Sequence, residues 1–169
     1  YPGWYWMLRW PKEENNKGRM DGFSKWIDYR SEEIEGRRFA LSEYGAGANT
    51  EHHMEELPEQ LIVTWRGPFH PEEWQNHVHE EAWRTIKKHS KQLWGSFIWA
   101  MFDFIVPGWN EGGINNLNDK GLVTADRKTR NDAFYFYKAN WTKEPMAYIC
   151  SSRMGNRKSA DTGVRVYSN

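Results

Sequence analysis

Glu43 is the residue best placed to do chemistry. It closes the short run Arg38-Phe39-Ala40-Leu41-Ser42-Glu43 and is followed at once by Tyr44-Gly45-Ala46-Gly47-Ala48. The run reads as a strand, and the glycines after it permit a sharp exit, so the carboxylate is expected at the strand's C-terminal end. In a parallel α/β barrel that is where catalytic groups sit. On spacing alone a surface or hydrogen-bonded structural Glu remains the alternative. The second chemical signal is eleven Trp residues in 169, many in Gly- and Pro-containing stretches outside any helical period. A Trp face is large, rigid and apolar and suits the C–H face of a sugar ring, while core packing is the ordinary use of the same side chain. His77 and His79 do not make a metal pair, because positions i and i+2 on a helix point to different faces. No recognisable cation-loop spacing is present either. No metal and no cofactor is expected.

The elements that must carry these groups follow from periodicity. Phe23, Trp26, Ile27, the Arg30 stem and Ile34 share one face of a helix predicted over 21–36, with Asp21 as N-cap and Gly36 as stop. After the strand ending at Glu43, residues 49–70 form a long polar, His-rich connection with a short helix expected over 51–60. A second helix opens at His70-Pro71-Glu72-Glu73, with Pro early and acids at the positive end of the dipole. Its apolar row is Trp74, Val78, Ala82 and Ile86, and Lys87, Lys88 and Lys91 lie towards its negative end. Residues 95–104 are nearly continuously apolar, as a strand buried on both faces reads, and alternation puts Trp99 and Asp103 on one face of it. A third helix is predicted over 128–141, with Ala133, Phe134, Tyr137 and Trp141 on one side. Alternating strands and helices define an α/β class with a parallel sheet, but three such helices cannot close a barrel. Beyond Pro145, the stretches 146–152 and 163–168 read as strands of an antiparallel unit. The expected division is therefore 1–144 and 145–169.

Bulk composition excludes other classes. Lys plus Arg and Asp plus Glu number 23 each, so net charge gives no attraction to nucleic acid or to an anionic membrane surface. The longest apolar run, 97–106, is interrupted by Asp103 and falls short of the roughly 20 residues that cross a bilayer. The single cysteine, Cys150, excludes an internal disulfide framework and a multi-thiolate zinc site. The abrupt aromatic start at Tyr1, without a basic and then apolar leader, reads as a cut within a longer chain.

Four stretches taken together resemble glycoside hydrolase family 2, which includes β-galactosidases, β-glucuronidases and β-mannosidases. Tyr1-Pro2-Gly3-Trp4-Tyr5 looks like the segment ending the family's sixth barrel strand, and Ser42-Glu43-Tyr44-Gly45 its nucleophile motif on the seventh. Phe97-Ile98-Trp99-Ala100-Met101-Phe102-Asp103-Phe104 is similar to the eighth strand. Asn118-Asp119-Lys120-Gly121-Leu122-Val123-Thr124 with Asp126-Arg127 is similar to the segment entering the last helix. The resemblance covers essentially the whole chain. It implies a partial (β/α)8 TIM barrel, strands 6–8 and their helices, followed by the start of an antiparallel β-sandwich. Glu43 is then the nucleophile of a retaining reaction, in which two carboxyl groups stand about 5 Å apart. Tyr1 would hydrogen-bond that nucleophile, Trp99 would floor the sugar subsite, and His53 would bond a sugar hydroxyl. Asn118 and Lys120 match an Asn-x-Lys pair that in glucuronidases is associated with the sugar carboxylate, for which a Lys is a natural point-charge partner. The surrounding phrases also look like those of bacterial β-galactosidases. The leading expectation is a β-galactosidase, and the alternative a β-glucuronidase.

The family's acid/base Glu follows an Asn on the fourth strand, which would lie upstream of Tyr1. Asn110-Glu111 follows the eighth strand and reads as a substrate-rim loop. A few strands cannot bury the inner layers of a barrel, so the segment alone is expected to expose apolar surface and to be unstable or associated. Two other readings stay open: a catalytically dead carbohydrate-binding module using Trp4, Trp99 and Trp109, and a piece with no independent function. The expected partners are a galactoside or related glycan and the remainder of the same barrel, with no nucleic acid and no membrane; an oligomer is compatible. Compartment is undetermined, the periplasm or cytoplasm of a bacterium being expected.

Overall fold

A computed structural model describes residues 16–57, 63–161 and 163–169, with side chains of the first helix from residue 22 onward. Along these residues run α1 (Asn16–Glu33), β1 (Phe39–Tyr44), α2 (Glu72–Lys88), β2 (Leu93–Ile98), β3 (Phe104–Ile105), a 3-10 turn at Glu111–Gly113, β4 (Leu117–Asn118), α3 (Asp132–Trp141), β5 (Ala147–Ile149) and β6 (Val166–Ser168). The chain is mixed α/β. No described helix is long and apolar enough to cross a membrane.

β1 and β2 pair in parallel, Phe39 with Leu93 and Tyr44 with Ile98, and α2 makes the crossover between them. All four residues of the apolar row of α2, Trp74, Val78, Ala82 and Ile86, are buried. They share one core with Phe23 and Ile27 of α1, Leu41 and Tyr44 of β1, Leu93 of β2, and Ala133 and Tyr137 of α3. Among the described residues no third strand joins this sheet. Its outward-facing Trp94 and Phe97 are 62% and 54% exposed, in contrast to the two-sided burial usual for a parallel sheet.

Several expected boundaries move. α1 begins at Asn16, five residues before the expected cap at Asp21, because Lys17, Arg19 and Met20 all favour helix. Its end is as expected: Gly36 takes a φ of +71°, and its N–H returns 2.8 Å to the Ser31 carbonyl. Residues 51–57 form turns and bends rather than a helix, and 58–62 lie outside the described residues. The strand expected over 95–104 stops at Ile98. Beyond it the backbone bonds to the 120–123 segment instead, Ala100 N–H to Lys120 O at 2.8 Å and Asp103 N–H to Val123 O at 2.9 Å. Trp99 and Asp103 therefore do not share a strand face. α3 starts at Asp132, not Lys128, because residues 124–130 turn back on themselves, with Val123 bridging Arg130.

The antiparallel pairing expected near the C-terminus is present between β5 and β6. A charged clasp ties this segment to the helices. Arg153 bonds Glu72 and, at 3.0 Å, Asp132, two carboxylates that are 0% exposed, while Tyr148 O–H donates to Asp132 at 2.7 Å. Burial and the neighbouring Asp132 charge raise the Glu72 carboxyl, against the Arg153 hydrogen bond, which holds it ionised. Removing the Arg153 guanidinium leaves both buried carboxylates without the cation they share among the described residues. Arg153→Met in the full-length protein is expected to lower unfolding free energy by about 3–5 kcal/mol, read from urea midpoints. An unchanged midpoint would show that solvent replaces the guanidinium.

Candidate active site

The C-terminal end of β1 carries the candidate residue Glu43. Leu41 and Tyr44 are buried, Ser42 is exposed and Glu43 lies between these extremes, so the carboxylate stands at the margin of the core. The Tyr44 carbonyl accepts the Trp99 N–H at 2.9 Å, which joins the end of β1 to the residue just past β2. Trp99 is 37% exposed, packs edge-on against Phe104 at 5.8 Å, and is followed by a cis peptide bond to Ala100. This approach demands glycine at position 45, where a Cβ would stand 2.3 Å from the Trp99 carbonyl oxygen.

Below the strand end, Tyr137 O–H donates to the Tyr44 hydroxyl at 3.0 Å, and His79 Nδ1 lies 2.9 Å from the Tyr137 oxygen. With the Tyr137 proton directed at Tyr44, His79 donates from Nδ1 and is the neutral tautomer. It is 0% exposed, and burial lowers its pKa from 6.5 to about 3. The histidine is a structural member of the core.

The far wall is built from 103–121. Asp103 accepts the Gly121 N–H at 2.7 Å; burial chiefly raises its pKa, from 3.8 to about 7, against that hydrogen bond. The two groups give opposite pH slopes. The folded pKa of His79 is below its unfolded value, so stability falls as pH drops from 6.5 towards 3. The folded pKa of Asp103 is above its unfolded value, so its contribution is full below 3.8 and is lost as pH rises to 7. Between pH 6.5 and 5 the His79 proton alone should steepen acid destabilisation by about 1.4 kcal/mol per pH unit. His79→Gln should remove that contribution and leave the opposite slope of Asp103, so the variant should gain stability relative to wild type as pH falls from 6.5 to 5 in calorimetric or urea unfolding; an unaltered slope contradicts the assignment.

The other predicted site residues fall in different places. Asn118 pairs with Phe104 across β3 and β4, is 1% exposed, and uses its side-chain oxygen on the Lys120 N–H at 3.1 Å. Lys120 is also 1% exposed; its ammonium is ion-paired with Glu111 and lies 3.5 Å from the Trp65 carbonyl. Glu111 is 0% exposed, so it is a buried counter-ion rather than the rim residue expected from its loop. His53 is held at both ring nitrogens, by Glu73 and by the Thr50 carbonyl, each at 3.1 Å. It lines a cleft of about 740 Å³ with Phe69, Met154 and Lys158, and Glu43 and Trp99 are not part of that lining. Tyr1 lies outside the described residues. Among those residues no group of three or more His, Cys, Asp or Glu side chains could hold a metal ion.

Three residues of this region had no pairing signal in the sequence. His70 and Asp119 form a buried pair 2.5 Å apart, and Gln75, from the inner face of α2, donates to the carbonyls of Ala46 at 2.9 Å and Gly121 at 3.2 Å. Their partners are 29 to 49 positions away, beyond the reach of local pattern.

Comparison with known proteins gives the class. No family model matches the chain. A β-glucuronidase of Bacteroides fragilis is 49% identical over 117 residues, 69% of this chain and 16% of its own length. A Bacteroides fragilis structure, provisionally named a β-galactosidase, superposes with a TM-score of 0.81 at 38% identity over 99% of this chain and 23% of its own. The structure of an FMN-binding β-glucuronidase from Facaelibacterium prausnitzii L2-6 gives 0.78 at 34% identity over the same 99%, and 23% of its own length. The chain's homologues are therefore glycoside hydrolases, and it spans about a sixth to a quarter of their length.

Proposed function

We propose that the full-length protein is a retaining β-glycosidase of glycoside hydrolase family 2. In this reading residues 1–144 supply strands 6–8 of its (β/α)8 barrel, residues 145–169 open the following β-sandwich, and Glu43 is the nucleophile. The supporting observation is the 2.9 Å bond from Trp99 N–H to the Tyr44 carbonyl, which joins the ends of β1 and β2, in this reading the seventh and eighth strands. Among the described residues neither outer edge of the β1–β2 pair has a strand partner, which with the exposed Trp94 and Phe97 also favours a sheet continued by further strands.

Glu43 attacks the anomeric carbon and forms a glycosyl-enzyme, while an acid/base carboxyl supplied from elsewhere in the full chain protonates the leaving oxygen and then activates water. The half-exposed face of Trp99 receives the C–H face of the sugar. Tyr1 would hold Glu43 ionised through a phenol hydrogen bond. Asn118 and Lys120 would recognise the sugar only if their buried side chains were released towards it, and His53 reaches a sugar hydroxyl only by releasing Glu73 or Thr50.

For the sugar, a β-glucuronide is favoured: two of the three compared proteins are named for that activity, and Asn118-x-Lys120 provides a cation for a uronate. This reverses the preference for galactose drawn from sequence phrases. One observation keeps galactoside as the second reading, since Lys120 already has a carboxylate partner in Glu111. Aryl β-glucuronide and aryl β-galactoside supplied to the full-length protein, with proton NMR of the first-formed sugar, decide both points. The expected result is faster glucuronide turnover with the β-anomer appearing first. Initial α-anomer would remove the retaining mechanism, and faster galactoside turnover would move the substrate to the second reading.

A further inference from the structure

His70 and Asp119 are 1% and 0% exposed, and the Nδ1–Oδ2 distance is 2.5 Å. The other ring nitrogen lies 2.8 Å from the Thr64 carbonyl. Both partners only accept, so His70 donates from both nitrogens and is an imidazolium facing a carboxylate. Burial opposes this charge, while the hydrogen bond and charge of Asp119 raise the pKa above its ordinary value. The other charged pair facing it is Lys120 with Glu111, which also accepts the Asp119 N–H at 3.3 Å.

The backbone of the same two residues holds the loop that leaves Glu43. Ala48 N–H donates to Asp119 O at 3.0 Å, and Asn49 N–H donates to His70 O at 2.9 Å. Gly47 lies against the pair so closely that a Cβ there would be 2.2 Å from Asp119 Oδ1 and 2.5 Å from His70 Nδ1. One residue further on, the Lys120 carbonyl holds Ala100 N–H at 2.8 Å, next to Trp99. A displacement of Asp119 is thus shared by the exit loop of the nucleophile strand, by Asn118 and Lys120 on either side, and by the Trp99 platform.

We infer that His70 and Asp119 act as a positioning pair for glycoside cleavage: they lock the loop after Glu43 to the Asn118–Lys120 segment and so fix nucleophile and sugar-recognition groups in one frame. The inference rests on the glycosidase reading above. Misplacement by about 1 Å costs on the order of a hundredfold in rate, so the effect belongs mainly in kcat.

The test uses the full-length protein with Asp119→Ala, His70→Ala, the double variant and the shape-conserving Asp119→Asn, assayed well below each melting temperature. Asp119→Ala and His70→Ala should each lower kcat about ten- to a hundredfold, with a smaller change in KM. The double variant should be no more than about threefold worse than the poorer single, because the two act as one unit. Asp119→Asn should fall between wild type and Asp119→Ala, and it carries the comparison if the alanine variants fail to fold. Wild-type kcat in variants whose only change is a lower melting temperature, or losses that multiply in the double variant, overturns the inference. Glu43→Gln is measured alongside. If it retains turnover, the glycosidase assignment of Glu43 falls and takes the inference with it; if it is inactive while Asp119→Asn and Asp119→Ala match wild type, the inference alone falls.

Discussion

Glu43→Ala in the full-length protein should reduce turnover of an aryl β-glycoside by about 10⁴-fold or more, and added azide should restore a large part of it as a glycosyl azide of inverted configuration. In the proposed mechanism the carboxylate forms the new bond to the anomeric carbon, so its removal should delete a step rather than weaken one. A small anion can enter the space left at the end of β1 because Glu43 lies at the edge of the core and not within it. Folding should be little affected, since the neighbouring Leu41 and Tyr44 carry the packing of the strand. Activity within tenfold of wild type would remove Glu43 from the chemistry. Loss of activity without azide rescue would leave it as a structural group only.

The second large effect is expected from Gly45→Ala. A methyl at this position would meet backbone, the Trp99 carbonyl oxygen at 2.3 Å and its carbon at 3.3 Å, with the His79 ring behind at 3.4 Å. Backbone cannot swing aside as the end of a flexible side chain does, so either β1 or the segment after β2 must shift. Forcing volume into a packed site costs about 1–3 kcal/mol, and here the displaced atoms carry the Tyr44 to Trp99 hydrogen bond as well. The expected result is a fall of several degrees in melting temperature together with about a hundredfold loss of kcat, since Glu43 and Trp99 move relative to each other. Gly22→Ala is the control, because a Cβ there meets nothing within 4 Å. Equal behaviour of the two variants would mean that the strand ends are not held together in the active enzyme.

Much of the frame was legible from local pattern. The row Trp74, Val78, Ala82 and Ile86 names the buried face of α2 because a helix presents every third or fourth residue to its neighbour. The strand ending in Glu43 and the antiparallel character after Pro145 could be read from alternation and turn residues in the same way. What escaped was whatever depends on a distant partner. An unbroken apolar run from 95 to 104 hides the stop at Ile98, which is caused by the 120–123 segment capturing the backbone of residues 100–103. The start of α3 slips to Asp132 for a similar reason, because Asn131 N–H donates to Leu122 O across the intervening hairpin.

The polar interior was the least visible. Lys120 looked like a residue waiting for a substrate carboxylate, and Glu111 like a loop acid at the rim; the fold buries both as one ion pair. His70 stands 49 positions from Asp119, and its place just before a helix-opening Pro71 suggests no more than a turn. Such pairs are specified by the three-dimensional approach of loops, and a buried charge persists only when its counter-ion is brought to it.

The most direct test of Glu43 as nucleophile is covalent trapping. A 2-deoxy-2-fluoro glycoside with a good leaving group should inactivate the full-length protein with one-to-one stoichiometry. Peptide mass mapping should then find the sugar on the peptide containing Ser42-Glu43-Tyr44. A label on any other carboxylate, with Glu43 unmodified, would contradict the account.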